Sequence, residues 1–251
     1  MNEVLSPPTV VVGIDGSPAA CSAAVWAADE AADRNLPLKL VYAIHPTGDP
    51  TDPPDPLAVA SIALSGACEA VRAVTGVQVE IESLRANPLA TLIELSHSAA
   101  MVAVGSVGLA HSCHPPGSTA AALAGSAGCP VAVIRNPQAR QRAGAIVAEI
   151  DASPNNRTVL GWAMAEAKLR QAPLRLVTSD GGVRRRLDDW AHHHPDAPVA
   201  AVIGADDVAG YLAANAESIQ LFVSSTRDRR SLGWASGAGG CSVLTVGGAP
   251  R

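Results

Sequence analysis

Along this chain, short unbroken apolar runs alternate with longer stretches in which apolar positions recur at helical spacing. Val10-Val11-Val12-Gly13-Ile14 is the first run. It is too uniformly apolar for a sheet with one wet face, so it predicts a central parallel strand covered on both sides. Asp15-Gly16-Ser17-Pro18 ends it, and an amphipathic helix is predicted from about Ala19 to Arg34 with Trp26 on its apolar side. Leu36-Pro37 stops that helix, and Leu38 to Ile44 predicts a second buried strand. Pro46, Pro50, Pro53, Pro54 and Pro56, set among Asp, Thr and Gly, mark an exposed loop. Leu57 to Val74 has helical spacing, Val77 to Ser83 alternates as an outer strand does, and Pro88 to Ala99 predicts a helix with proline in its first turn. Met101 to Val104 and Pro130 to Ile134 read as two more buried strands. Right-handed crossovers running outward from a central pair then give the strand order 3-2-1-4-5. In such sheets the ligand crevice lies at the carboxyl ends of the first and fourth strands. Asp15 and the segment following Val104 should meet there.

That segment is glycine-rich. Gly105-Ser106-Val107-Gly108 turns after the fourth strand, a polar loop runs from Leu109 to Pro116, and Gly117-Ser118-Thr119 opens an Ala-rich helix. A residue without a Cβ lets backbone N–H groups close around phosphate oxygens, and the helix N-terminus supplies partial positive charge. For Gly105 and Gly108 alone, a simple turn is the plain alternative.

The opening pattern recurs. At a constant offset of 136, Ile146 to Val177 overlays Val10 to Val41 without a gap, and roughly 14 of 32 positions are identical. They include Asp15/Asp151, Ser17/Ser153, Pro18/Pro154, Trp26/Trp162, Pro37/Pro173 and Leu38/Leu174. Chance would give about two or three, so this is an internal repeat. With Asn136 to Gly144 as a polar linker, two domains are expected, 1–139 and 140–251. The second copy is predicted to continue with a helix over Val183 to His194, a strand over Val199 to Ile203, a helix over Asp207 to Ala216, and strands at Leu221 to Ser224 and Ser242 to Val246. Its glycines are gone: aligned by sequence, Ser224 stands at the place of Gly105 and Arg227 at that of Gly108. Only 17 residues, Ser225 to Cys241, precede its last strand, against 24 from Ser106 to Cys129. A phosphate loop and a full helix do not both fit, so the second domain is expected to be truncated and structural or regulatory.

Val-Gly-Ile-Asp-Gly-Ser-Pro at 12–18, Trp-Ala-Ala-Asp-Glu-Ala at 26–31, and Val-Gly-Ser-Val-Gly…Gly-Ser-Thr leading to Cys129-Pro130-Val131-Ala132-Val133-Ile134 resemble the universal stress protein family. The duplicated layout is similar to its tandem form in actinobacteria, including mycobacteria. The resemblance implies two Rossmann-like α/β domains of the adenine nucleotide alpha hydrolase kind, each with about five parallel strands and helices on both faces. Many members bind ATP through a G-x2-G-x9-G-[S/T] motif, and others do not. By position, Gly13, Ile14 and Asp15 would lie beside ribose and adenine, Ala43 at the base, and Val104 before the loop. Gly105, Gly108, Gly117 and Ser118, followed by Thr119, would wrap the phosphates. Here eight residues, not nine, separate Gly108 from Gly117, and the loop contains Pro115 and Pro116 but no Lys or Arg. Phosphate charge would therefore rest on the helix N-terminus, backbone N–H groups and a metal ion, Mg²⁺. The resemblance also implies pairing of the two domains through Val131 to Ile134 and Ser242 to Val246, whose edges need covering, or a homodimer.

Composition narrows the remaining choices. A net charge of −5 argues against nucleic acid as a general partner. No basic leader precedes an apolar run and no window approaches about 18 apolar residues, so neither export nor membrane insertion is expected. Five scattered cysteines without a C-x-x-C pair point to reduced thiols in a cytoplasm. His111, Cys113 and His114 lack a fourth ligand for zinc, and His192-His193-His194 reads as a solvated helix end. Arg184 to Arg186 and Arg227 to Arg230 make the second half locally basic. Asp15 is placed either to orient ribose and help hold Mg²⁺ or to cap the following helix with Ser17. No G-x-S-x-G nucleophile elbow and no general base is evident, so turnover is not expected. Two classes remain: an ATP-binding stress-response regulator with one site in the first domain and an unidentified protein partner, or a nucleotide-free interaction scaffold with a vestigial loop.

Overall fold

A computed structural model describes residues 8–45, 55–106, 118–135, 144–225 and 241–247. The chain divides into two compact units, residues 1–137 and 138–251. No helix among the described residues is long and apolar enough to cross a membrane.

The first unit has five parallel strands: β1 (Val10–Gly13), β2 (Leu38–Ile44), β3 (Val79–Arg85), β4 (Met101–Gly105) and β5 (Val131–Ile134). Their order is β3-β2-β1-β4-β5, the topology expected from the crossover rule. Val10, Val11 and Val12 are all buried, because helices cover both faces. The predicted outer strand lies two residues later than the alternation suggested: Leu38 pairs with Val79, and Val77 and Gln78 precede the ladder.

Three helices of this unit start by one device. α1 (Pro18–Asp33), α2 (Pro56–Arg72) and α3 (Pro88–Ser96) each begin at proline. Proline's missing N–H costs nothing in a first turn, where intrahelical partners are absent anyway. The preceding side chain caps: Ser17 Oγ accepts from Ala20 N–H at 3.1 Å, Asp55 Oδ1 from Ala58 N–H at 3.0 Å, and Asn87 Oδ1 from Ala90 N–H at 3.1 Å. α1 ends through left-handed Asn35 (φ 53°), with Leu36 N–H reaching back to Ala31 C=O at 2.8 Å. α4 (Ser118–Ser126) follows the glycine segment.

The second unit repeats the plan with β6 (Ala145–Glu149), β7 (Leu174–Thr178), β8 (Val199–Gly204), β9 (Ile219–Ser225) and β10 (Ser242–Val246). Their order is β8-β7-β6-β9-β10, again 3-2-1-4-5. Its helices are α5 (Asn156–Leu169), α6 (Gly181–His193) and α7 (Val208–Ala214), followed by a 3-10 turn at Ala216–Ser218 where one longer helix was predicted. Val147, Val177, Leu212, Phe222 and Val243 share one buried cluster under α7. The helix ending of the first copy is reproduced by left-handed Gln171 (φ 50°) and the Ala172 N–H to Ala167 C=O bond at 2.9 Å.

The structural register corrects one alignment. Met101 pairs beside Val10, and Leu221 pairs beside Ile146, the counterpart of Val10. Counting along both strands puts Ser225, not Ser224, in the place of Gly105. A bulge is the reason: Ala145 pairs with Ile219 but Ile146 with Leu221, so Gln220 is an extra residue that a sequence offset cannot reveal.

Candidate functional site

The carboxyl ends of β1 and β4 adjoin, as the strand order requires. A Cβ built on Gly13 would lie 3.0 Å from Leu92 Cδ1 on α3 and 3.3 Å from Val104 Cγ1, so Gly13, Val104 and α3 share one side of the crevice. Ile14 N–H donates to Val41 C=O at 2.8 Å, the last bond between β1 and β2. Backbone groups of alternate residues in a strand point the same way. Ala43, two residues beyond Val41, therefore directs its N–H and C=O past the end of β1, into the crevice. That donor and acceptor, side by side, suit the edge of a planar heterocycle.

Asp15 is half-buried at the turn from β1 to α1. Its Oδ1 accepts from Ser17 N–H at 2.9 Å, and Ser17, rather than Asp15, is the helix cap. Burial and, secondarily, the Asp15 carboxylate push the Tyr42 phenol upward. Gly16 is left-handed (φ 85°).

Gly105 has a structural task that needs no ligand. A Cβ there would fall 2.7 Å from the backbone C of Ala19 and N of Ala20, so the bare Cα lets the first turn of α1 rest on the end of β4. Ser118 and Thr119 begin α4. Gly108 and Gly117 lie outside the described residues, as do His111, Cys113, His114 and Arg227 to Arg230. No group of three metal-ligating side chains occurs among the described residues.

The equivalent place in the second unit is built differently. Gly13 is replaced by Glu149, whose Oε2 accepts from Ser224 Oγ at 3.5 Å, and Ala43 by Ser179. A carboxylate thus stands where the first unit has bare backbone. Asp151 keeps the turn of Asp15, its Oδ1 accepting from Ser153 N–H at 2.9 Å. The three histidines close α6: His193 Nδ1 and His194 Nδ1 meet the carbonyls of Asp189 and Trp190 at 2.7 and 2.8 Å, and His194 stacks on Trp190. Arg184 lies against Gly204, whose Cβ would be 2.8 Å from Nη1.

The family profile described as the universal stress protein family matches residues 8–135. Two relatives from Mycobacterium tuberculosis H37Rv match nearly end to end. Universal stress protein Rv2028c is 41% identical over 98% of this chain and 99% of its own length. Universal stress protein Rv3134c is 42% identical over 94% and 95%. The chain belongs to the universal stress protein family. A universal stress protein structure from Archaeoglobus fulgidus DSM 4304 superposes with a TM-score of 0.76, covering 96% of each chain at 12% identity, which supports the fold.

Within this universal stress protein, sequence reading overlooked Gly16 and Leu92 in the first unit and Glu149 and Asn156 at the equivalent strand end of the second. Three of them were visible in principle. The offset of 136 sets Gly13 against Glu149, Gly16 against Ala152 and Ala20 against Asn156, and non-identical pairs in a repeat carry the differences between its copies. Leu92 approaches Gly13 only through tertiary packing.

Proposed function

We propose that this universal stress protein binds one adenine nucleotide, ATP with Mg²⁺, at the carboxyl ends of β1 and β4 in its first unit, and that it acts through occupancy rather than turnover. The observation that carries this reading is the contrast between the two copies. In the first, Gly13, the projecting backbone of Ala43 and the start of the glycine loop leave the crevice to backbone groups. In the second, Glu149 takes the place of Gly13 and its side chain, in contact with Ser224, occupies the strand end that bare backbone leaves open in the first. Gly108, Gly117, Ser118 and Thr119 complete the phosphate side by sequence position, with the α4 N-terminus contributing its dipole. Mg²⁺ bound to the nucleotide would neutralise phosphate charge in a loop without Lys or Arg.

The alternative, a nucleotide-free scaffold, is favoured by Gly105. The approach of α1 to β4 is sufficient reason for that glycine, so its presence does not require phosphate. Native mass spectrometry of the purified chain separates the two readings. Nucleotide binding would appear as one adenine nucleotide per chain, retained from the host or taken up from ATP with Mg²⁺. A chain that stays at its polypeptide mass in saturating nucleotide supports the scaffold.

A further inference from the structure

The two copies hold the same Asp-x-Ser-Pro segment in two conformations. In both, the Asp carboxylate accepts from the Ser N–H at 2.9 Å, and beyond that bond they part. In the first copy Gly16 is left-handed, Ser17 Oγ caps Ala20 N–H, and Cys21 N–H donates to Ser17 C=O at 3.1 Å, so α1 is wound from Pro18. In the second, Ala152 has replaced Gly16 and is not left-handed. The Ser153 hydroxyl, freed from capping, is buried with no hydrogen-bond partner among the described residues. Asn156 N–H donates to Ser153 C=O at 3.3 Å in a tighter turn, and Asn155 caps α5 without a side-chain bond. The Asn156 amide instead bonds the Asp151 backbone, accepting from its N–H at 3.1 Å and donating to its C=O. Two of the exchanged residues account for the change. Alanine is strained in the left-handed region, and a Cβ at the Gly105 place, where the second copy has Ser225, would strike the backbone of a wound first turn.

We infer that Gly16 is a positioning residue for the nucleotide site: by keeping the first turn of α1 wound, it fixes the surface on which Gly105 rests at the end of β4. This rests on the nucleotide reading above. Gly16 is exposed, and its replacement leaves the proposed phosphate-binding residues unchanged. Gly16→Ala should move the segment toward the conformation of the second copy, whereas Gly16→Asn, which tolerates a left-handed backbone, should not.

Hydrogen exchange at the Ala20 and Cys21 amides, with calorimetric ATP affinity in Mg²⁺, tests this on the full chain. In Gly16→Ala, exchange should be about tenfold faster and affinity about tenfold weaker, with cooperative unfolding retained; Gly16→Asn should stay near wild type in both. Unchanged exchange in Gly16→Ala overturns the lock. Faster exchange at unchanged affinity overturns the positioning role while leaving the nucleotide site standing. Wild-type protein that takes up no ATP overturns the site and the positioning role together.

Discussion

Asp15 and Asp151 are the same residue in two settings, and in each the carboxylate accepts from the N–H of the serine two residues on at 2.9 Å. Replacing either with Ala should cost a similar amount, about 0.5–1.5 kcal/mol in denaturant unfolding. Only Asp15 faces the proposed ligand, so Asp15→Asn should keep most of the stability and lose Mg²⁺-dependent nucleotide affinity. Equal affinity in wild type, Asp15→Asn and Asp15→Ala would make Asp15 purely structural. A second repeated pair was present in the sequence but carried no pattern to mark it as buried. Glu30 and Arg34 are 3.0 Å apart, Glu166 and Arg170 2.9 Å, and both glutamates are fully buried. Removing one partner of a buried ion pair costs up to about 3–5 kcal/mol. Arg170→Met should approach that cost, and Arg34→Met should cost less, because Arg34 is 25% exposed against 5% for Arg170. Equal losses in the two variants would contradict burial as the determinant.

At the scale of elements, glycines sort by what surrounds them. Nothing lies within 4 Å of a Cβ built on Gly66 in α2 or Gly161 in α5. Gly66→Ala and Gly161→Ala should each stabilise by about 0.5–1 kcal/mol, since alanine is the better helix former. Gly105→Ala, meeting backbone at 2.7 Å, should instead destabilise by about 1–3 kcal/mol without nucleotide present. A neutral Gly105→Ala would refute the close approach of α1 to β4. At the start of α6, backbone N–H groups of Val183 and Gly182 hold the Asp180 carboxyl below its ordinary range. A depressed carboxylate contributes stability above its unfolded pKa and loses it as pH falls through the lower folded value. Exchange protection at Gly182 and Val183 should accordingly persist at pH 5 and fall in strongly acidic solution, more so than at α5, whose N-cap makes no side-chain bond. Most elements were legible because apolar runs and the Ser-Pro, Asp-Pro and Asn-Pro dipeptides act locally. The bulge at Gln220 and the late start of β3 were not, because register is decided between strands.

At the scale of the molecule, duplication has given one chain two versions of one crevice. Family and strand order could be read from residues adjacent in sequence, whereas the inversion of chemistry at the strand ends depends on which residue stands opposite which. Gly13 and Glu149 are interchangeable as strand termini, yet one leaves backbone open and the other presents a carboxylate. This difference should confine nucleotide to the first unit. Isothermal titration of the full chain with ATP and Mg²⁺ measures it directly, with Gly117→Val as the companion variant that drives a side chain into the proposed phosphate space. One site per chain is expected in wild type and none in a folded Gly117→Val. Two equivalent sites, or binding undiminished in Gly117→Val, would rule out confinement to the first unit.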